Sequence, residues 1–255
     1  MTSLLSVENC TLRFGGLTAV NNLNLGLQAG ELIAVIGPNG AGKTTFFNML
    51  TGVYEPTEGD LLFLGQSVIG LSPDTINRLG VARTFQNIRL FSNLTVRDNV
   101  RAAFYNHNPT SLMAAALKKK SVALAEEEIE QKTLALLDLF HLSSKKGDLA
   151  SNLPYGDQRR LEIVRALVTE PQLLLLDEPA AGMNAAEKKE LVELIRRIHV
   201  DRKLAIILIE HDMKVVMSIA PRILVLDYGV KIAEGTPEEI RKNPQVIEAY
   251  LGESA

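Results

Sequence analysis

The sequence predicts an α/β fold on a mainly parallel sheet, with an antiparallel β part near the N-terminus and an inserted helical segment. Three observations carry this. A glycine-rich turn stands between an apolar strand, Leu32 to Ile36, and a helical pattern from Lys43. Short apolar runs then alternate with helical stretches through the second half, which is the pattern of a parallel sheet covered on both faces. Between roughly Asn93 and Lys146 alanine is frequent and β-branched runs are few, which reads as helix.

Taken in order, Leu4 to Phe14 and Leu23 to Leu27 are short apolar clusters punctuated by Gly15-Gly16 and Ala29-Gly30, and read as early antiparallel strands. In Lys43 to Leu50, Phe46, Phe47 and Leu50 share one side of a helix. Ser72-Pro73 is a helix start, with serine as cap and proline where its missing N–H costs nothing, and the helix ends near Leu79-Gly80. In the insertion, the runs Lys118 to Lys120 and Glu126 to Glu128 read as a solvated helix face. Then come a helix (Gln158 to Val168), a strand (Leu173 to Leu176), a helix (Ala185 to His199), a strand (Leu204 to Ile209), a helix (Met213 to Ile219) and a strand (Ile223 to Leu226). Thr236-Pro237-Glu238-Glu239 is a capping box that opens a C-terminal helix. The expected organisation is one domain, with residues 1–92 and 147–255 as core and 93–146 as helical subdomain.

Composition narrows the classes. With 46% hydrophobic and 22% charged residues over 255, the chain has the make-up of a folded globular protein. A formal charge of -3 gives no electrostatic footprint for nucleic acid, so no nucleic-acid partner is expected. The single Cys10 makes no internal disulfide, and no charged-then-apolar leader precedes the first strand, so a reducing, cytoplasmic setting is expected. Apolar runs fall short of the roughly 20 residues a membrane helix needs.

Two motifs carry chemistry. Phosphate oxygens need several donors converging from one side, and glycines let backbone N–H groups come close enough. Gly37-Pro38-Asn39-Gly40-Ala41-Gly42-Lys43-Thr44, followed by Thr45, meets that need. At this spacing the lysine reaches β- and γ-phosphates and the Thr44 hydroxyl ligates Mg²⁺, so ATP and Mg²⁺ are the expected cofactors. Four leucines, Leu173 to Leu176, deliver Asp177 and Glu178 to a strand end, where α/β sheets place ligands. Asp177 is the candidate for the metal shell and Glu178 for general base or water-positioning group, since phosphoryl transfer needs an oriented nucleophile and charge neutralisation. Taken alone, such an acidic pair could simply end a strand at the surface.

Three further features are Gln86 in Ala82-Arg83-Thr84-Phe85-Gln86, the stretch Leu153-Pro154-Tyr155-Gly156-Asp157-Gln158-Arg159-Arg160, and His211 in Glu210-His211-Asp212. With the phosphate loop they make the chain resemble ABC-transporter ATP-binding subunits over nearly its whole length. The resemblance implies an ABC-type P-loop NTPase fold and ATPase activity. By it, Gln86 is a glutamine that senses the metal and the membrane partner, and His211 is a switch histidine at the γ-phosphate; together with Glu178 and Lys43 they form the catalytic set. Metal candidates are Thr44, Gln86 and Asp177. Phe14, before Gly15-Gly16, resembles the aromatic that stacks on adenine, and would otherwise be a core phenylalanine at a strand end. Ala181 to Asn184 resemble the loop that crosses to the opposing subunit.

The chain departs from the family where others carry Leu-Ser-Gly-Gly-Gln. Here Pro154 removes the serine hydroxyl and one N–H, leaving Tyr155, Gly156, neighbouring N–H groups and the helix dipole to meet the opposite subunit's nucleotide. Asn184 stands where many members have aspartate. An intact hydrolytic set beside an altered signature suggests a heterodimer with a second, homologous ATPase. Arg-Thr-Phe-Gln, Asn-Leu-Pro-Tyr-Gly, Ala-Ala-Gly-Met-Asn and Glu-Gly-Thr-Pro-Glu-Glu-Ile are similar to branched-chain amino-acid importers. That similarity implies two membrane permeases, an extracytoplasmic binding protein, and a peripheral place on the cytoplasmic face of the inner membrane. Ile88, Leu90 and Phe91 are candidate permease contacts or subdomain core. A lipopolysaccharide-export ATPase and a soluble ABC ATPase are the alternatives; the long coiled coil or doubled domain expected of soluble members is missing.

Overall fold

The structure, a computed structural model, describes residues 3–107 and 119–251. Of the lysine run, Lys118 and the side chains of Lys119 and Lys120 fall outside what it describes.

Two sheets organise the described residues. The smaller is antiparallel, in the order β2 (Leu17–Leu27), β1 (Leu5–Phe14), β4 (Glu58–Phe63), β5 (Gln66–Ser67). β2 starts six residues before the expected Leu23, because Gly15-Gly16 reverses the chain so tightly that Phe14 pairs with Leu17.

The larger sheet runs β10 (Val230–Gly235), β9 (Arg222–Asp227), β3 (Leu32–Ile36), β8 (Ala205–Ile209), β7 (Leu173–Asp177), β6 (Val81–Arg83). Every neighbouring pair is parallel except the β9–β10 hairpin. Residues of β3, β7 and β8 are fully buried, and their two-residue alternation divides two cores. Leu32, Ala34 and Ile36 face one core with Leu174, Leu176, Ile206 and Leu208. Ile33 and Val35 face the other with Phe46, Phe47 and the antiparallel strands.

The phosphate-loop helix is α1 (Lys43–Leu50), and α2 (Pro73–Leu79) is capped by Ser72 as its sequence requires. α3 (Val96–His107) and α4 (Lys119–Leu139) lie in the insertion; Val96, Val100, Leu137 and Phe140 join the first core. The chain enters and leaves that region side by side, with Val96 N–H donating to Asp148 and Ala150 N–H to Leu94. α5 (Tyr155–Leu167) begins three residues before the expected Gln158: the Pro154 carbonyl already accepts from Asp157 and Gln158, so the turn closes at the proline. α6 (Ala185–Arg202), α7 (Met213–Ile219), α8 (Pro237–Lys242) and α9 (Pro244–Leu251) complete the chain. His199 bonds the Leu204 carbonyl at 2.8 Å, a structural role. Among the described residues no helix is long and apolar enough to cross a membrane.

Register decides where the chemistry collects. Val35 and Asp177 both pair with Ile209, so the carboxyl ends of β3, β7 and β8 form one edge. Gly37, Glu178 and Glu210 follow those ends directly.

Candidate functional site

The loop from Gly37 to Gly42 hugs its own sheet edge. A Cβ on Gly37 would fall 2.0 Å from the Leu226 carbonyl oxygen, and one on Gly42 2.5 Å from that of Ala19. Gly42 also has φ +96 at the head of α1, a conformation open chiefly to glycine. The result is a helix that starts directly behind the loop, and the first N–H groups of a helix lack intrahelical partners, an arrangement that favours an anion. The Lys43 ammonium bonds the Gly37 and Pro38 carbonyls at 2.6 and 2.7 Å.

Phe14, Asn39, Gly40, Ala41, Gly42, Lys43, Thr44, Thr45, Gln86 and Glu178 line one cavity of about 410 Å³. That volume lies in the range of small-ligand clefts. Phe14 is 44% exposed and meets the Tyr54 ring edge-on at 5.0 Å, so it is not a core phenylalanine. Sequence reading missed Tyr228, which lines the same cavity from the β9–β10 turn, held there by Gly229 N–H donating to Ala41 O at 3.0 Å. Lacking a motif, that turn gave no local signal.

At the mouth stands Glu178, with φ +48, a conformation rare for a side-chain-bearing residue and a form of strain that clusters at functional sites. Its N–H donates to Ile209 O, which fixes it to β8. One carboxylate oxygen, Oε2, accepts from Gln86 Nε2 at 3.1 Å and lies 3.6 Å from His211 Nδ1. Asp177 lies beneath, 2% exposed, and its Oδ2 accepts from Arg83 Nη2 at 2.9 Å. Burial pushes the Asp177 carboxyl above its ordinary value, and Arg83 pulls it back. Arg83 was also missed; its signal was a charged residue inside the apolar lead-in to Gln86. Its other end bonds Asn48 of α1 at 2.7 Å, and its guanidinium lies over the Phe47 and Phe85 rings. Glu210 is buried behind the site, its Oε1 accepting the Ala180 N–H at 2.7 Å, and burial raises its carboxyl too.

Tyr155 and Gly156 do not line this cavity. They start α5, where Pro154 in the cap position offers no side-chain bond. Asp157 turns inward to ion-pair with Lys145 and Arg160. Asn184 caps α6 in a capping box with Glu187, which an amide oxygen serves as well as a carboxylate. Leu90 packs against the first core, whereas Phe91 is 45% exposed under the Arg165 guanidinium.

The family profile of ABC transporters matches residues 20–181, and that of the branched-chain amino acid ATP-binding cassette transporters matches 230–255. The chain belongs to the ABC transporter family of ATP-binding subunits. It is 51% identical, over 98% of both chains, to the high-affinity branched-chain amino acid transport ATP-binding protein LivG of Escherichia coli K12. It is 45% identical, with the same coverage, to BraF of Pseudomonas aeruginosa, which carries the same description. Among solved structures, MJ1267, an ATP-binding cassette of an ABC transporter, superposes with a TM-score of 0.85 at 26% identity, over 98% of this chain and 99% of that one. This ABC ATPase thus has the expected fold, and its activity is ATP hydrolysis coupled to transport. The 230–255 match covers β10, α8 and α9, so the transporter-specific part of the chain reaches beyond the nucleotide cavity.

Proposed function

We propose that this chain drives import of branched-chain amino acids, hydrolysing Mg²⁺–ATP on its own phosphate loop while a second ATPase subunit closes over the nucleotide. The observation that carries the chemistry is Glu178 at the cavity mouth, where one carboxylate oxygen meets both Gln86 and His211. A group so placed holds a water for attack on the terminal phosphate, and its two partners report whether that phosphate is present. Lys43 and the α1 N-terminus take the β- and γ-phosphates, and Phe14 takes adenine. Thr44, Gln86 and Asp177 offer oxygen donors, the chemistry Mg²⁺ prefers; bound there, the ion would neutralise charge on the phosphates. The named activities of LivG and BraF support the substrate class.

In this reading Tyr155 and Gly156 face the nucleotide of the other ATPase. With no serine in this signature, the companion's segment completes the site on this chain's Glu178, and the pair works with two permeases and an extracytoplasmic binding protein. Phe91, exposed beyond the Gln86 loop, is the candidate permease contact. The chain sits as a peripheral subunit on the cytoplasmic face of the inner membrane. The test is reconstitution with the permeases and binding protein, following uptake of leucine, isoleucine and valine. Glu178→Gln should retain ATP binding and lower turnover by about 100-fold or more. If turnover survives the change, Glu178 is not the water-positioning group. If the matching change in the companion costs equally, the asymmetry is wrong.

A further inference from the structure

Arg159 stands one helical turn after Tyr155 on α5 and is 2% exposed. A guanidinium carries five N–H donors, and all five have acceptors here. Nε and Nη2 donate to the Tyr155 hydroxyl at 3.2 and 2.9 Å. Nη1 donates to Phe85 O at 2.6 Å and to Glu162 Oε2 at 3.1 Å. Nη2 also donates to Gln86 O. Glu162 returns to the same loop, accepting the Phe85 N–H on Oε1 at 3.2 Å. Two side chains of α5 therefore hold both backbone groups of Phe85 and the carbonyl of Gln86.

Each end of this link touches something that acts. At one end, Gln86 bonds Glu178. At the other, the Tyr155 ring packs on Gly182, where an added Cβ would lie 3.0 Å from its Cε1, so the tyrosine is in contact with the loop before α6. Burying a charge merely to fill space is poor design, since apolar residues of like volume serve as well or better. A planar fork aimed at two carbonyls and a phenol instead fixes position.

We propose that Arg159 is a positioning residue that locks the start of α5 to the Gln86 loop. One displacement then moves Gln86 relative to Glu178 and Tyr155 relative to the opposite subunit's nucleotide, coupling the two ATP sites. This rests on the two-subunit reading above.

The test uses the ATPase dimer with each site read alone. Glu178→Gln in this chain silences its own site, and the matching carboxylate-to-amide change in the companion silences the other. Arg159→Lys keeps the charge beside Glu162 but has three donors and no fork. It should lower kcat at both sites by about 10- to 100-fold while the KM for ATP stays within about twofold, the split expected when reacting groups shift and binding groups do not. At the opposite site the losses from Tyr155→Phe and Arg159→Lys should be less than additive, since either change breaks the same link. Loss at one site only, or full additivity, overturns the proposal. Should Arg159→Lys fold poorly, Tyr155→Phe carries the test by removing one hydroxyl from a half-exposed ring: unchanged kcat at the opposite site overturns the link. An unsubstituted dimer that never turns over ATP would remove the two-subunit reading and this inference with it, a result distinct from any site-specific loss.

Discussion

Replacing Arg83 by methionine isolates the cost of a buried charge under the phosphate loop. The side chains of Arg83 and Asp177 are 5% and 2% exposed and meet at 2.9 Å. Methionine fills the space of the arginine stem but leaves the carboxylate without its counter-charge, and breaking a buried pair in this way costs about 3–5 kcal/mol. The bond from Arg83 to Asn48 on α1 is lost as well. For a chain of this size about 2–4 °C of Tm corresponds to each kcal/mol, so the midpoint should fall by roughly 6–20 °C. Its pH dependence has a definite sign. Burial already raises the Asp177 carboxyl above its ordinary 3.8, and losing Arg83 raises it further. The folded protein then holds that proton to a higher pH than the unfolded chain does. The Arg83→Met deficit relative to wild type therefore grows as pH rises from the raised wild-type value through the still higher value of the variant, and below both this contribution vanishes. Urea denaturation of Arg83→Met beside Arg83→Met/Asp177→Asn measures it directly, since the neutral amide should recover about 2 kcal/mol or more. A deficit under about 1 kcal/mol near neutral pH, or no recovery with the amide, would refute the reasoning.

Gly42→Ala should cost about 1–3 kcal/mol in denaturation and abolish ATP binding, because its Cβ would lie 2.5 Å from the Ala19 carbonyl oxygen at a left-handed φ. Phe14→Ala should weaken ATP binding by up to about tenfold, with Phe14→Trp restoring it; nucleotide titration calorimetry reads both. Asp212→Ala removes the cap of α7, which accepts from Lys214 N–H at 2.9 Å, and should cost about 1 kcal/mol near neutral pH. The bond from Lys188 holds the Asp212 carboxyl below its ordinary 3.8, so its contribution is present above 3.8 and fades as pH falls through the lower folded value. Wild type and variant should then converge in stability in strong acid.

Sequence alone determined the parts whose physics is local. Gly37 to Thr44 is one contiguous run, because a phosphate cradle is made by adjacent backbone groups and its lysine. The apolar runs Leu32 to Ile36 and Leu173 to Leu176 read as strands buried on both faces, and the acidic pair after Leu176 stands where the second of them ends. Three-residue β6 and the half-polar β10 left no such mark: too short, or too mixed in polarity, to show a period. What the tertiary structure decided is who meets whom. Gln86 bonds Glu178 across 92 residues of chain, and Arg159 reaches Phe85 across 74. The strand order β3–β8–β7–β6 and its register set those encounters. Register is fixed by how two faces of apolar side chains fill two cores, a condition on the whole sheet that no local stretch of residues contains.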